Sequence, residues 1–362
     1  MPSGQPHPLV KQPDILRWWI VVVLLSGITG LIFSVLHLPA AMLLASMLVA
    51  MGVSTRNVHL RVAPVLFGLA QGVVGCLMAR TLQADLLGRV AHDWPLFLSF
   101  TMLVLIASAG LGYLLAKRNV LPGTTAIWGL APGAASAMVI MADAYGADIR
   151  LVALMQYLRV VIVTLLASLI TSIWMHHVAP AHPVIAWSNW NSSTNIGLTV
   201  SLVLAGSVLA RIFRISGGAL LLPLVTGIVF QHLGWLTIEL PPPLLAIAYA
   251  VLGWSIGLRF DRNILVHAWS ALPHVLIAIL TLVLLGLLLA VALYLVGGFD
   301  PLSAYLATSP GGADSVAVIA ASASVDAGFV MAMQLVRFVI VLLLGPGIFR
   351  WIANKAYPTD KR

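Results

Sequence analysis

The sequence predicts an all-α polytopic membrane protein with about ten transmembrane helices, arranged as two inverted repeats of five. Three observations lead to this fold class: a strongly apolar composition, a long internal duplication, and a Pro-Gly pair inside one segment of each half. Of the 362 residues, 61% are hydrophobic and 8% are charged. Soluble domains carry about one-quarter charged residues, so this composition excludes a soluble fold.

Long apolar runs predict the membrane-spanning helices in chain order. In the first half they cover 18–36, 38–53, 62–79, 94–116 and 150–175. In the second half they cover 196–210, 215–231, 240–258, 271–296 and 327–349. The predicted domains are a tail at 1–17, a membrane repeat at 18–175, a polar linker at 176–195, a second repeat at 196–349 and a basic tail at 350–362.

Residues 132–163 align without a gap with residues 310–341, at a shift of 178 positions (310 minus 132). The shift places Pro132 on Pro310, Gly133 on Gly311, Asp148 on Asp326, Gln156 on Gln334 and Arg159 on Arg337. About a third of the positions in 132–163 are identical to their counterparts, and a repeat of this extent determines the architecture.

The segments 122–146 and 301–324 decide the topology. Proline removes a backbone hydrogen bond and glycine is permissive, so neither segment is one continuous helix. If both segments cross the membrane, there are twelve spans; if both are re-entrant, there are ten in two inverted sets. The ten-span arrangement puts nearly all Lys and Arg residues on one side, and the positive-inside rule then makes both termini cytoplasmic.

Inverted repeats with interrupted helices at the membrane midplane are typical of secondary transporters. Broken helices expose N-terminal amides, which bind anions, and C-terminal carbonyls, which bind cations. The alternative is that each Pro-Gly pair only kinks a packed helix. The occurrence of two such pairs at equivalent positions favours the functional interpretation.

Arg159 and Arg337 lie inside apolar spans, where an arginine costs about 2.5–3.5 kcal/mol and therefore needs a partner or a cavity. Gln156 and Gln334 precede them by one helical turn, on the same face. One hypothesis is that these pairs bind a carboxylate or similar planar anion. The other is a structural ion pair, of Arg159 with Asp148 or Asp143 and of Arg337 with Asp314 or Asp326.

The sequence thus nominates two groups of site residues. The predicted substrate-binding residues are Pro132, Gly133, Ser136, Gln156, Arg159, Ser309, Pro310, Gly311, Gly312, Ser315, Gln334 and Arg337. The predicted ion-coupling residues are Asp314, which corresponds to Ser136 in the first half, together with Asp148 and Asp326. Asp148 and Asp326 could instead cap the helices that follow them. We find no metal-ligand spacing, phosphate loop or catalytic array, so no metal, no cofactor and no enzymatic activity is expected.

The sequence carries the motifs LPGTTAIWGLAPGAASAMVIM, SPGGADSVAVIA, QLVRFVIVLLLGP and LGWSIGLRFDR. With the paired Pro-Gly and Gln-x-x-Arg blocks, these resemble the AbrB-type bacterial membrane duplication family over essentially the full chain. The resemblance implies a bacterial inner-membrane protein, in a family whose members are labelled as regulators of gene expression or as ammonia monooxygenase. The plan of spans also resembles the citrate/glutamate symporter architecture, as an analogy of fold.

We therefore expect a secondary transporter of a small, anionic solute coupled to H⁺ or Na⁺. The alternatives are a membrane regulator that affects gene expression indirectly and, less favoured, a membrane enzyme. The expected partners are the lipid bilayer, an organic anion and the coupling ion, without nucleic acid. A homodimer is left open.

Overall fold

The structure is a computed structural model of the chain. It describes residues 12–36, 38, 40–56, 58, 60–81, 94–118, 120–132, 142, 145, 147–175, 193–213, 215, 217–260, 262, 266 and 269–356. All regular secondary structure in these residues is helical. Gly133, Ser136 and Asp143 lie outside the described residues. So do the predicted linker at 176–195, apart from its last three residues, and residues 1–11 and 357–362 of the two tails.

The helices follow the predicted spans closely. In the first half they are α1 (Gln12–Val35), α2 (Ala41–Ser54), α3 (Pro64–Thr81), α4 (Trp94–Lys117), α5 (Thr125–Leu130) and α6 (Ile149–Met175). In the second half they are α7 (Ser193–Ile212), α8 (Gly218–His232), α9 (Pro242–Gly257), α10 (Leu272–Gly297), α11 (Pro301–Thr308), α12 (Ala313–Ala321) and α13 (Ala327–Ala356).

Seven of these helices are long and apolar enough to cross a membrane: α1, α3, α4, α6, α7, α10 and α13. Three more, α2, α8 and α9, are apolar but shorter. Large aliphatic and aromatic side chains are exposed along the long helices, for example on α1 and α10. A helical protein with so much apolar surface is suited to a lipid environment, which confirms the prediction of a membrane-type protein.

The helices pack into two bundles that alternate along the chain. The scaffold bundle consists of α1–α3 and α7–α9, in which α2 packs on α9 and α3 packs on α8. The break bundle consists of α4–α6 and α10–α13, in which α5 packs between α4 and α6 while α11 packs against α10 and α13. The most extensive helix contacts between the bundles join α3 to α12 and α13. Each bundle therefore takes equivalent helices from both halves of the sequence.

Two glycines permit the close helix crossings in the scaffold bundle. A Cβ atom on Gly75 of α3 would lie 2.4 Å from the carbonyl oxygen of Leu220 on α8. A Cβ atom on Gly253 of α9 would lie 2.5 Å from the carbonyl oxygen of Leu43 on α2. Gly75 and Gly253 are equivalent in the 178-residue shift, so the third helix of each half crosses the second helix of the other half. This is the packing expected of small-xxx-small faces.

The segment 301–324 is interrupted, as the sequence predicts. Helix α11 ends at Thr308, Ser309 is extended (φ −58°, ψ 133°), and α12 begins at Ala313. In the first half, Ala131 after α5 has a similar conformation (φ −55°, ψ 120°). Both residues precede a proline, which disfavours the helical conformation at the residue before it. The two prolines therefore end α5 and α11 at equivalent positions.

Candidate functional site

In the first half, the end of α5 is held by the Gln-x-x-Arg motif of α6. The last carbonyl groups of a helix have no partner within the helix. Gln156 Nε2 donates to the carbonyl oxygens of Trp128 at 2.9 Å and Ala131 at 3.0 Å. Arg159 Nη1 donates to the carbonyl oxygens of Leu130 at 3.3 Å and Ala131 at 3.1 Å. Arg159 Nη2 donates to Gln156 Oε1 at 2.9 Å. The motif thus satisfies the carbonyl groups that the break exposes.

The second half has the same arrangement at the end of α11. Gln334 Nε2 donates to the carbonyl oxygen of Leu306 at 2.7 Å. Arg337 Nη1 donates to the carbonyl oxygen of Ser309, and its Nη2 group donates to that of Gly311 at 2.9 Å and to Gln334 Oε1. A cation at a helix C-terminus is favoured by the helix dipole. The two motifs therefore have a structural role that neither the ion-pair hypothesis nor the substrate hypothesis had anticipated.

The predicted aspartates lie at the starts of α6 and α13. Asp148 Oδ1 accepts hydrogen bonds from the amides of Arg150 and Leu151. Asp326 Oδ1 accepts one from the amide of Phe329 at 3.0 Å. Both aspartates therefore act as N-caps, the alternative that the sequence left open. An ion-coupling role for either of them stays a prediction.

A further hydrogen bond joins each short helix to the start of the next long one. The Asp148 amide donates to Thr125 Oγ1, and the Asp326 amide donates to Ser303 Oγ, both at 3.0 Å. The sequence analysis missed Thr125 and Ser303. The sequence did contain a signal for them, because the 178-residue shift places Thr125 on Ser303 and both residues carry a hydroxyl group.

The two guanidinium groups form a positively charged centre inside the protein. Arg159 is 3% exposed and Arg337 is 7% exposed. The carbonyl oxygen of Gly311 accepts a hydrogen bond from Arg337, and Gly311 lies next to Val163, which follows Arg159 by one helical turn. The two arginine-bearing helices therefore meet at the second break. Every hydrogen bond described for either group goes to a neutral oxygen. Among the described residues, Arg159 Nε has no hydrogen-bond partner. Neutral oxygens solvate these charges without cancelling them, which is the electrostatic environment that an anion needs.

The second break also contacts α6. A Cβ atom on Gly311 would lie 3.1 Å from Val163 Cγ1, so only glycine fits there without displacing its neighbour. Gly312 caps α12, and Ser315 is buried in the first turn of that helix. Asp314 also lies in this first turn, and its side chain is outside the described part of the structure. The break, the start of α12 and the arginine-bearing helices therefore converge in one region of the break bundle.

Comparison with known proteins identifies the family. Residues 43–353 match the family model described as "Transition state regulatory protein AbrB". The chain is also 41% identical over 343 residues to "Putative regulator AbrB" of Escherichia coli strain K12, covering 94% of this chain and 98% of that protein. The chain belongs to the AbrB family. A more distant relative is "Uncharacterized protein YhjN" of Bacillus subtilis strain 168, 24% identical over 355 residues and covering 92% of each chain. No solved structure matches the chain at a significant level.

Proposed function

We propose that this AbrB-family protein is a secondary transporter of a small organic anion, coupled to H⁺ or Na⁺. The observation that carries the proposal is the pair of buried arginines at two equivalent helix breaks. Buried charge is costly inside a membrane protein and marks a pathway or a binding site when it occurs. A bound carboxylate could contact Arg159 Nε. It could also accept hydrogen bonds from the backbone amides at the start of α12, where the helix dipole favours a negative charge.

The division into two bundles supports a transport mechanism. The break bundle holds both arginines, and the scaffold bundle is fixed internally by glycine crossings that bring backbones into contact. Transport would consist of movement of the break bundle against the scaffold bundle, which would open the arginine site alternately to the two faces. In this mechanism Asp314 is the principal candidate for the coupling acid, because it shares the first turn of α12 with the break.

The membrane arrangement that goes with this function has ten crossings. The seven long apolar helices and the three shorter ones supply that number, with α5, α11 and α12 as re-entrant elements. The two halves would be inverted relative to each other, with both termini in the cytoplasm and the protein in the bacterial inner membrane. The protein would act without a catalytic centre, a cofactor or nucleic acid, with a homodimer as the open oligomeric alternative.

Ligand-induced stabilisation tests the proposal. The purified protein in detergent is heated with each member of a panel of small carboxylates, amino acids, ammonium and Na⁺. A solute that binds the folded state at 100 times its dissociation constant adds about 2.7 kcal/mol of stability. We expect a carboxylate to raise the Tm of the parent protein and not that of Arg159→Ala or Arg337→Ala.

The matched control is Arg211→Ala, which removes an exposed arginine at the end of α7. It should keep the full ligand-induced shift. If a solute stabilises the parent and both buried-arginine variants equally, the arginines do not bind it. If no panel member shifts the parent and both variants fail to fold, the arginines are structural caps and the transport proposal loses its basis.

The alternative function is a membrane-bound regulator that acts indirectly through a sensed or transported metabolite. The family description "Transition state regulatory protein AbrB" and the name "Putative regulator AbrB" of the Escherichia coli relative suggest this alternative. Uptake into proteoliposomes separates the two functions, because a pure sensor binds solute without moving it across the bilayer. A transporter whose flux changes a metabolite level would satisfy both descriptions.

A further inference from the structure

Helix α6 carries a row of hydroxyl side chains beyond its arginine. Thr164, Ser168 and Thr171 occupy positions i, i+4 and i+7, which share one face of a helix. All three are at most 2% exposed. Within the described part of the chain, Thr164 Oγ1 and Thr171 Oγ1 have no hydrogen-bond partner, even in their own helix. A buried hydroxyl without a partner costs about 1–3 kcal/mol, so the two threonines need an explanation.

Helix α4 has the same feature on its inner face. Thr101 Oγ1 and Ser108 Oγ are buried and likewise have no partner among the described residues. They lie at i and i+7, and Gly112, four residues after Ser108, faces the backbone of α5. The hydroxyl groups of α4 are therefore directed to the side on which the first break lies.

These hydroxyl groups occur in one half of the protein only. The 178-residue shift places Thr101 on Ile279, Ser108 on Gly286, Thr164 on Leu342, Ser168 on Pro346 and Thr171 on Phe349. None of these counterparts carries a polar side chain. Apolar residues would pack equally well in both halves. The difference between the halves therefore points to a role that is needed on only one side of the arginine site.

The geometry of α6 determines how long the row of hydroxyl groups is and where in the protein it lies. From Arg159 to Thr171 the helix rises about 18 Å, which is close to half the roughly 30 Å thickness of a membrane core. Val161, one turn before Thr164, packs in a cluster with Leu44 and Met47 of α2. The row thus begins beside the face of α6 that contacts the scaffold bundle and runs toward the end of α6 at Met175.

We propose that Thr164, Ser168 and Thr171 line the route by which water and a small hydrated anion pass between the arginine site and the membrane face at the end of α6. This inference rests on the proposed transport function and adds the route and its one-sidedness. Neutral hydroxyl groups can donate to an anion and can exchange hydrogen bonds with water, without a charge that would trap the solute.

Cysteine accessibility tests the route. The single native cysteine, Cys76, is buried and is first replaced by alanine. Thr164→Cys, Thr171→Cys and, as the control, Met155→Cys are then labelled with a small anionic thiosulfonate in membranes. Met155 lies nine residues before Thr164, on the opposite face of α6, and is also fully buried, in an apolar cluster. A cysteine that reacts only after local opening is slower, so we expect positions 164 and 171 to react at least about tenfold faster than 155. An equal, slow rate at all three positions overturns the inference.

Isosteric variants separate a route from a structural role. Thr171→Val removes a hydroxyl that has no partner to lose, so Tm should stay unchanged or rise. Its uptake rate should fall while the ligand-induced Tm shift remains. A lowered Tm would instead assign the hydroxyl to packing and refute the route. If 164 and 171 fail to label while the carboxylate shift still depends on Arg159, the route fails and the proposed function stands. If positions 164 and 171 label but no solute needs the arginines for its Tm shift, the route stands and the proposed anion site at the arginines fails.

Discussion

The closest helix crossing in the scaffold bundle supplies a sharp test of the packing. In Gly253→Ala, the new Cβ atom would lie 1.9 Å from Ser46 Oγ, 2.5 Å from the Leu43 carbonyl oxygen and 2.9 Å from the Met47 amide nitrogen. Ser46 can rotate, but the Leu43 oxygen belongs to the α2 backbone. Non-bonded heavy atoms normally stay about 3.5 Å apart, so α2 and α9 would have to separate by about 1 Å.

Overpacking of this kind costs about 1–3 kcal/mol, and the better helix propensity of alanine offsets at most about 1 kcal/mol of it. We expect the free energy of unfolding, measured by denaturant titration in detergent, to fall in Gly253→Ala. The control is Gly52→Ala in α2, where a Cβ atom would meet nothing within 4 Å. That variant should be as stable as the parent or more stable. Equal stability of the two variants would refute the crossing.

Three further predictions concern the break bundle. Gln334→Leu removes one of the two donors to the Leu306 carbonyl group, the other being the Ser309 hydroxyl, and also removes the Gln334 acceptor of Arg337. Unfolding free energy should therefore fall by about 1–3 kcal/mol; a parent-like value would mean that water replaces the amide. Asp148→Ala should cost about 1 kcal/mol through loss of the cap, and Asp148→Asn should restore it; a stable Asp148→Asn protein with abolished uptake would instead assign the acid to ion coupling. Gly311→Ala should lower stability through Val163, and Gly311→Ala combined with Val163→Ala should recover part of the loss; no recovery would place the strain elsewhere.

Several features of this protein were predictable from the sequence because they depend on local chemistry. The prolines after Ala131 and Ser309 end α5 and α11 wherever the chain folds, since the residue before proline disfavours the helix. The long apolar runs predict the helices. The 178-residue shift predicts that Gln156 and Arg159 make the same kinds of contact as Gln334 and Arg337. The hydrogen bonds of the two motifs agree with that expectation.

The partners of those residues were not predictable in the same way. The sequence suggested aspartates for the arginines, but their described hydrogen bonds go to backbone carbonyl groups and to the neighbouring glutamine side chains. Every residue type carries a carbonyl group, so the sequence does not show which carbonyl group will act as the acceptor. The sequence also does not assign helices to the scaffold bundle and the break bundle, because these helices are apolar on nearly all sides.

The sequence alone determined that the chain is a duplicated, helical, membrane-type protein with two proline-ended helices and two buried Gln-x-x-Arg motifs. Only the tertiary structure decided which helices share a bundle, that the helices of Arg159 and Arg337 meet at the second break, and that Thr164 and Thr171 have no hydrogen-bond partner among the described residues. The physical reason is that lipid is as apolar as a protein core. A lipid-facing side and a buried side therefore look alike in the sequence, and only the packing of the backbones distinguishes them.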